Sequence, residues 1–99
     1  MPYTIEYSPA TLDHLRALTA GQRATVLAAV DAQLVHEPAV GTRNRKPMRP
    51  NRLAPWELRV GNLRIYYDVE DVPARRVLIR AIGIKEQNRV RIGGKEFEL

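Results

Sequence analysis

The chain has 99 residues, 44% of them hydrophobic and 27% charged, with a formal net charge of +5; one core over residues 1–99 and no second domain are expected. Cysteine is absent, which excludes disulfides, thiolate catalysis and cysteine-based zinc sites. No apolar run approaches the roughly 20 residues that span a bilayer, and the start MPYTIEYSPA lacks a signal-peptide pattern, so a soluble cytoplasmic protein with no membrane partner is expected.

The charge is unevenly placed. Residues 1–40 carry two basic residues against four acidic ones, net −2, whereas residues 41–99 carry 14 against 7, net +7. Between Arg43 and Arg52 lie five basic residues (Arg43, Arg45, Lys46, Arg49 and Arg52) and no acidic one. Such a balance points to nucleic acid or to a strongly acidic partner; a plain solvated loop is the alternative. His14 and His36 are the only histidines, and no carboxylate cluster accompanies them, so neither a metal nor another cofactor is expected.

In chain order, Tyr3, Ile5 and Tyr7 alternate with Thr4 and Glu6 and predict a half-buried strand. Ser8-Pro9 reads as an N-cap followed by proline at the first helical position. Leu12, Leu15 and Leu18 then place an apolar stripe on a helix of about three turns, with His14 off the stripe on the surface. Thr19 to Gln22 forms a capping-box pattern that starts a second helix. Val26, Leu27, Val30 and Leu34 fall on its inner face, His36 in its last turn, and Pro38 ends it. Residues 39–55 show no period and read as a long connection.

Trp56–Val60 and Leu63–Val69 alternate cleanly around Gly61-Asn62, a two-residue hairpin turn with glycine first. Val77–Ile82 supplies a further strand that Gly83 breaks; residues 84–91 are polar and basic, and Lys95–Leu99 adds a short edge strand after a Gly93-Gly94 turn. The expected fold is α+β in the order β-α-α-β-β-β, with a short C-terminal extension and an antiparallel-rich sheet backed by the helical hairpin.

The hairpin turn fixes a register in which Leu58 faces Ile65 and Trp56 faces Tyr67 on the core side. On the other side Arg59 stands opposite Arg64, and Glu57 opposite Tyr66. Two arginines abreast repel, and an anionic ligand relieves that repulsion. The set suits cleavage of RNA, whose 2′-hydroxyl is a built-in nucleophile, and equally a protein that merely binds phosphate. Arg59 and Arg64 match the geometry of phosphate oxygens, Glu57 is the candidate base, and Lys85 is a cation or the acid. Tyr66 is the candidate base-stacking surface, Trp56 a packing anchor.

These segments resemble the RelE/ParE superfamily of toxins from type II toxin–antitoxin systems along nearly the whole chain. The resemblance rests on YTIEYSP, the leucine-striped helical hairpin, TRNRKPM, WELRVGNLRIYYDV, AIGIK, Asn88-Arg89 and GGKEFEL. It implies a RelE-like fold, a cognate antitoxin as partner, and in the RelE branch a metal-independent endonuclease acting on mRNA in the ribosome. Arg64 stands where such nucleases carry a catalytic arginine, Arg59 where arginine is common, and Lys85 where they have a basic residue. Arg43, Arg45, Lys46, Arg49, Arg52, Tyr66 and Arg89 are then expected to contact RNA. Pro55 and Glu57 stand where the family carries two lysines, and Arg91 near its catalytic tyrosine. A ParE-like inhibitor of DNA gyrase and a degenerate, non-toxic binding module are the alternatives.

Overall fold

The structure, a computed structural model, describes residues 2–98. Its α+β architecture has strand β1 (Thr4–Tyr7), helices α1 (Pro9–Arg16) and α2 (Ala20–Leu34), and then six strands: β2 (Arg45–Pro47), β3 (Trp56–Val60), β4 (Leu63–Glu70), β5 (Arg76–Glu86), β6 (Arg89–Ile92) and β7 (Lys95–Phe97). The sheet runs β2-β3-β4-β5-β6-β7 with every neighbouring pair antiparallel. Strand β1 joins parallel to the first half of β5, on the same edge that β6 occupies along the second half.

The expected hairpin register is present, with Val60 opposite Leu63, Arg59 opposite Arg64 and Trp56 opposite Tyr67. Gly61 takes φ +57, the left-handed value that the first position of such a turn requires. Leu58, Ile65 and Tyr67 on the inner face are fully buried against Val26, Val30 and Leu34 of α2, burial that contributes about 1.5–3 kcal/mol for each large side chain. Trp56 stacks on Tyr67 with ring centroids 6.1 Å apart. The Thr19–Gln22 capping box starts α2, and the Tyr67 hydroxyl donates to the Pro38 carbonyl just past its end.

Several expectations are corrected. Helix α1 has eight residues, and the residue it buries is Thr11, while Leu12 is 57% exposed; Leu18 reaches the core from beyond the helix end. Leu27 is exposed on α2, one position off the buried Val26–Val30–Leu34 line. The Ser8 side chain makes no cap bond; its hydroxyl donates to the Arg80 carbonyl instead. His36 lies past the helix end, because α2 stops at Leu34. His14 is half-buried rather than superficial, and its Nδ1 accepts the Ile82 backbone N–H.

Gly83 does not break β5, which runs to Glu86. Its missing side chain instead admits β6: a Cβ there would stand 2.6 Å from the Arg91 carbonyl oxygen and 2.7 Å from Ile92 Cγ1. Residues 84–91 therefore include the end of β5 and the start of β6, and Lys95–Phe97 is the expected edge strand, with Leu99 outside the described residues. The connection from 39 to 55 contains β2, and Asn51 organises the remainder. Its side chain donates to the carbonyls of Arg49 and Ala54 and accepts the N–H groups of Leu53 and Ala54.

Candidate functional site

The outer face of the sheet carries the polar side chains in rows across the strands. One row runs Lys46, Glu57, Tyr66, Ala81 from β2 to β5, and the next runs Arg59, Arg64, Gly83, Ile92 from β3 to β6. Lys85 lies two residues beyond Gly83, and its backbone N–H donates to the Asn62 carbonyl, which ties it to the hairpin turn. Opposite neighbours in a sheet have Cβ atoms about 4.5–5.5 Å apart, so Lys46, Glu57, Arg59, Arg64 and Lys85 converge. They line a cavity of about 740 Å³, walled by the 46–51 segment on one side and by Asn88, Val90 and Glu98 on the other.

Within it, Glu57 Oε1 accepts from Arg59 Nε at 2.6 Å. Arg64 is 9% exposed, and its Nη1 donates to the carbonyls of Gly61 and Leu63. Among the described residues Lys46, Arg49, Arg64 and Lys85 form no ion pair, whereas Arg16, Arg76, Arg80, Arg89 and Arg91 each meet a carboxylate elsewhere on the surface. Five cations face two carboxylates around the cavity. The cavity lining is therefore net positive, in a concave surface that strengthens its field.

Tyr66 departs most from expectation. It is fully buried beneath a second small core made with Ala54, Ala81, Val90 and Ile92, flanked by Met48, Leu53 and Phe97. It presents no ring for base stacking. Its hydroxyl is buried and forms no well-aligned hydrogen bond, although Glu57 is its nearest acceptor. Burial, then the charge of the adjacent Glu57 carboxylate and the hydroxyl's contact with it, push the Tyr66 phenol far above its ordinary pKa, so it stays a neutral O–H.

No family model matches the sequence, and no curated protein does. A solved structure does: a chain of the toxin–antitoxin complex RelBE2 from Mycobacterium tuberculosis superposes with a TM-score of 0.73 at 25% identity, covering 86% of this chain and 100% of that one. The chain is RelE-like. Its sheet, helical hairpin and element order match that RelE-like fold.

The remaining expected contact residues of this RelE-like chain fall into different places. Arg49 lines the cavity and also a second groove on the other side of the 48–55 loop, together with Arg52 and Arg80. Arg80 is the extra residue of a bulge in β5, where the register slips between Tyr66 and Tyr67, and it faces Asp68. Arg43 is exposed ahead of β2. Arg45 turns away from the cavity and donates to the carbonyls of Gln33 and Val40, so it fastens the α2 terminus to β2. Arg89 is held by Glu96 and Glu98 and lines a separate groove with Glu86 and Arg91. Neither tyrosine nor histidine lines the cavity, and His36 stays outside it. Lys46 has a place that its loop position in the sequence concealed, since it stands directly opposite Glu57; the alternation of Arg45, Lys46 and Pro47 was too short a signal to reveal a strand.

Proposed function

We propose that this RelE-like chain is the toxin of a toxin–antitoxin pair and acts as a metal-independent endoribonuclease on mRNA in the ribosome, held in check by a cognate antitoxin. The observation that carries the reading is the convergence of one carboxylate, two adjacent arginines and two lysines in one cationic cavity. Glu57 takes the proton of the 2′-hydroxyl, and that oxygen attacks the adjacent phosphorus. Arg59 and Arg64 stabilise the charge gathering on the non-bridging oxygens, and Lys46 adds a third cation beside Glu57. Lys85 gives a proton to the departing 5′-oxygen, which leaves a 2′,3′-cyclic phosphate and a 5′-hydroxyl. Arg43, Arg49 and Arg52 extend the phosphate contacts outward. The antitoxin's role follows from the charge: a segment that covers the cavity has to meet its cations with acidic or hydrogen-bonding groups.

Induced expression without an antitoxin, with mRNA 5′ ends mapped for wild type and Arg64→Ala, tests this. Growth arrest with new 5′ ends inside translated codons, absent in the variant, is the expected result. Arrest with intact mRNA overturns the nuclease reading in favour of a gyrase-type inhibitor. The pairing of Glu57 with Arg59 in the unliganded protein, and a cavity without tyrosine or histidine, are the observations that favour that second reading.

A further inference from the structure

The buried Tyr66 hydroxyl, which lacks a well-aligned hydrogen bond, lies one strand from Glu57, its direct cross-strand neighbour, and the carboxylate's aligned hydrogen-bond partner is Arg59. Arg59 is the most exposed member of this trio: its side chain is 47% exposed, and the Nε contact with Glu57 is that side chain's one hydrogen bond among the described residues. Tyr66 is fixed by the small core around it. We propose that Tyr66 is a positioning residue for Glu57, which exchanges Arg59 for Tyr66 as its donor when a phosphodiester enters the cavity. The phosphate draws the Arg59 guanidinium outward, because it offers that planar donor a second, less buried anion. The Tyr66 O–H then closes on the vacated carboxylate oxygen. Glu57 keeps one oriented hydrogen bond, its second oxygen is free to accept the 2′-hydroxyl proton, and the buried phenol gains an aligned acceptor. Glu57 is thus oriented by its own neighbouring arginine until substrate arrives, and is held in place afterwards by a neutral donor that does not compete for phosphate. This rests on the nuclease reading for its role in catalysis, but the exchange of partners does not.

The hydroxyl proton of Tyr66, assigned by its absence in Tyr66→Phe, reports the exchange by NMR. It is expected to move downfield when a 2′-O-methyl, uncleavable oligonucleotide is added to the wild-type protein, and in Arg59→Ala without any ligand. It is expected to stay in place in the double variant Arg59→Ala, Glu57→Ala. An unchanged resonance in Arg59→Ala, or the same movement when Glu57 is also removed, overturns the proposal. On ribosome-bound mRNA, Tyr66→Phe is expected to lower kcat about tenfold with little change in KM and no loss of thermal stability; undiminished kcat overturns the positioning role. A wild-type protein that cleaves nothing refutes the nuclease reading, and the NMR result still decides the exchange.

Discussion

Arg59 and Arg64 stand directly opposite each other across the β3–β4 hairpin, yet their guanidinium groups are drawn to different partners. Arg59 bends along its own strand to Glu57, and Arg64 bends back to the turn carbonyls of Gly61 and Leu63. Like charges across a sheet destabilise it, and this divergence leaves room between them for an anion.

Glu57→Gln separates binding from chemistry. The amide retains the size and the acceptor for Arg59 but cannot take a proton, so mRNA cleavage is expected to fall about 10²–10⁴-fold. RNA affinity should stay level or rise, because a negative charge leaves a cationic cavity. Cleavage kinetics on programmed ribosomes, with affinity from anisotropy, checks both; wild-type rates in Glu57→Gln would remove it as the base.

Salt dependence distinguishes the cavity cations from those already neutralised. Each phosphate contact contributes about −0.7 to the slope of log affinity against log salt for single strands. Arg49→Gln and Lys85→Gln are each expected to lower the slope's magnitude by about that amount. Arg89→Gln should leave it unchanged, since Glu96 and Glu98 hold that guanidinium. A reduced slope in Arg89→Gln would restore it to the RNA surface.

His14 makes stability depend on pH. Burial holds its imidazole below the ordinary pKa of 6.5, against the opposing charge of Asp13, and its Nδ1 must stay unprotonated to accept the Ile82 N–H. The unfolded chain therefore binds the proton first as pH falls. The contribution of His14 is fully present above pH 6.5 and is lost below it, toward the lowered folded value. Urea midpoints at pH 7.5 and 5.5 should fall further for the wild type than for His14→Gln, which keeps an acceptor but does not titrate. Equal falls would show that His14 is not the group responsible.

Gly83→Ala tests the close approach of β5 and β6. The new methyl would meet the Arg91 carbonyl oxygen at 2.6 Å, and backbone yields less readily than a side-chain end. A loss of about 1–3 kcal/mol is expected by chemical denaturation. The loss should be accompanied by faster amide exchange at Val90 and Ile92, the β6 members of the second core. An unaffected midpoint would mean that β6 sits farther from β5 than the structure has it.

Much of the site was legible because it lies on one hairpin. Period-two alternation on both sides of Gly61-Asn62 set the register, and the register alone placed Glu57, Arg59, Arg64 and Tyr66 on one face. Whether that face meets water is a separate matter. In the sequence Tyr66 presents as an exposed ring because nothing near it in the chain covers it; the cover comes from Leu53 and Ala54 on one side and from Val90, Ile92 and Phe97 on the other. By charge alone Arg45 and Arg89 suit RNA contacts, but their partners, Gln33, Val40, Glu96 and Glu98, come from other segments of the chain.

The sequence by itself determined the helical hairpin with its capping box, the strand pairing through Gly61-Asn62, and the concentration of positive charge after residue 41. Each follows from local interactions: side-chain period, turn chemistry and composition. Only the tertiary structure decided that Gly83 continues a strand, that Lys46 stands beside Glu57, and that Lys85 is fastened to the hairpin turn through Asn62. Those are contacts between segments distant in the chain, whose closeness depends on how the elements pack, and no local pattern encodes it.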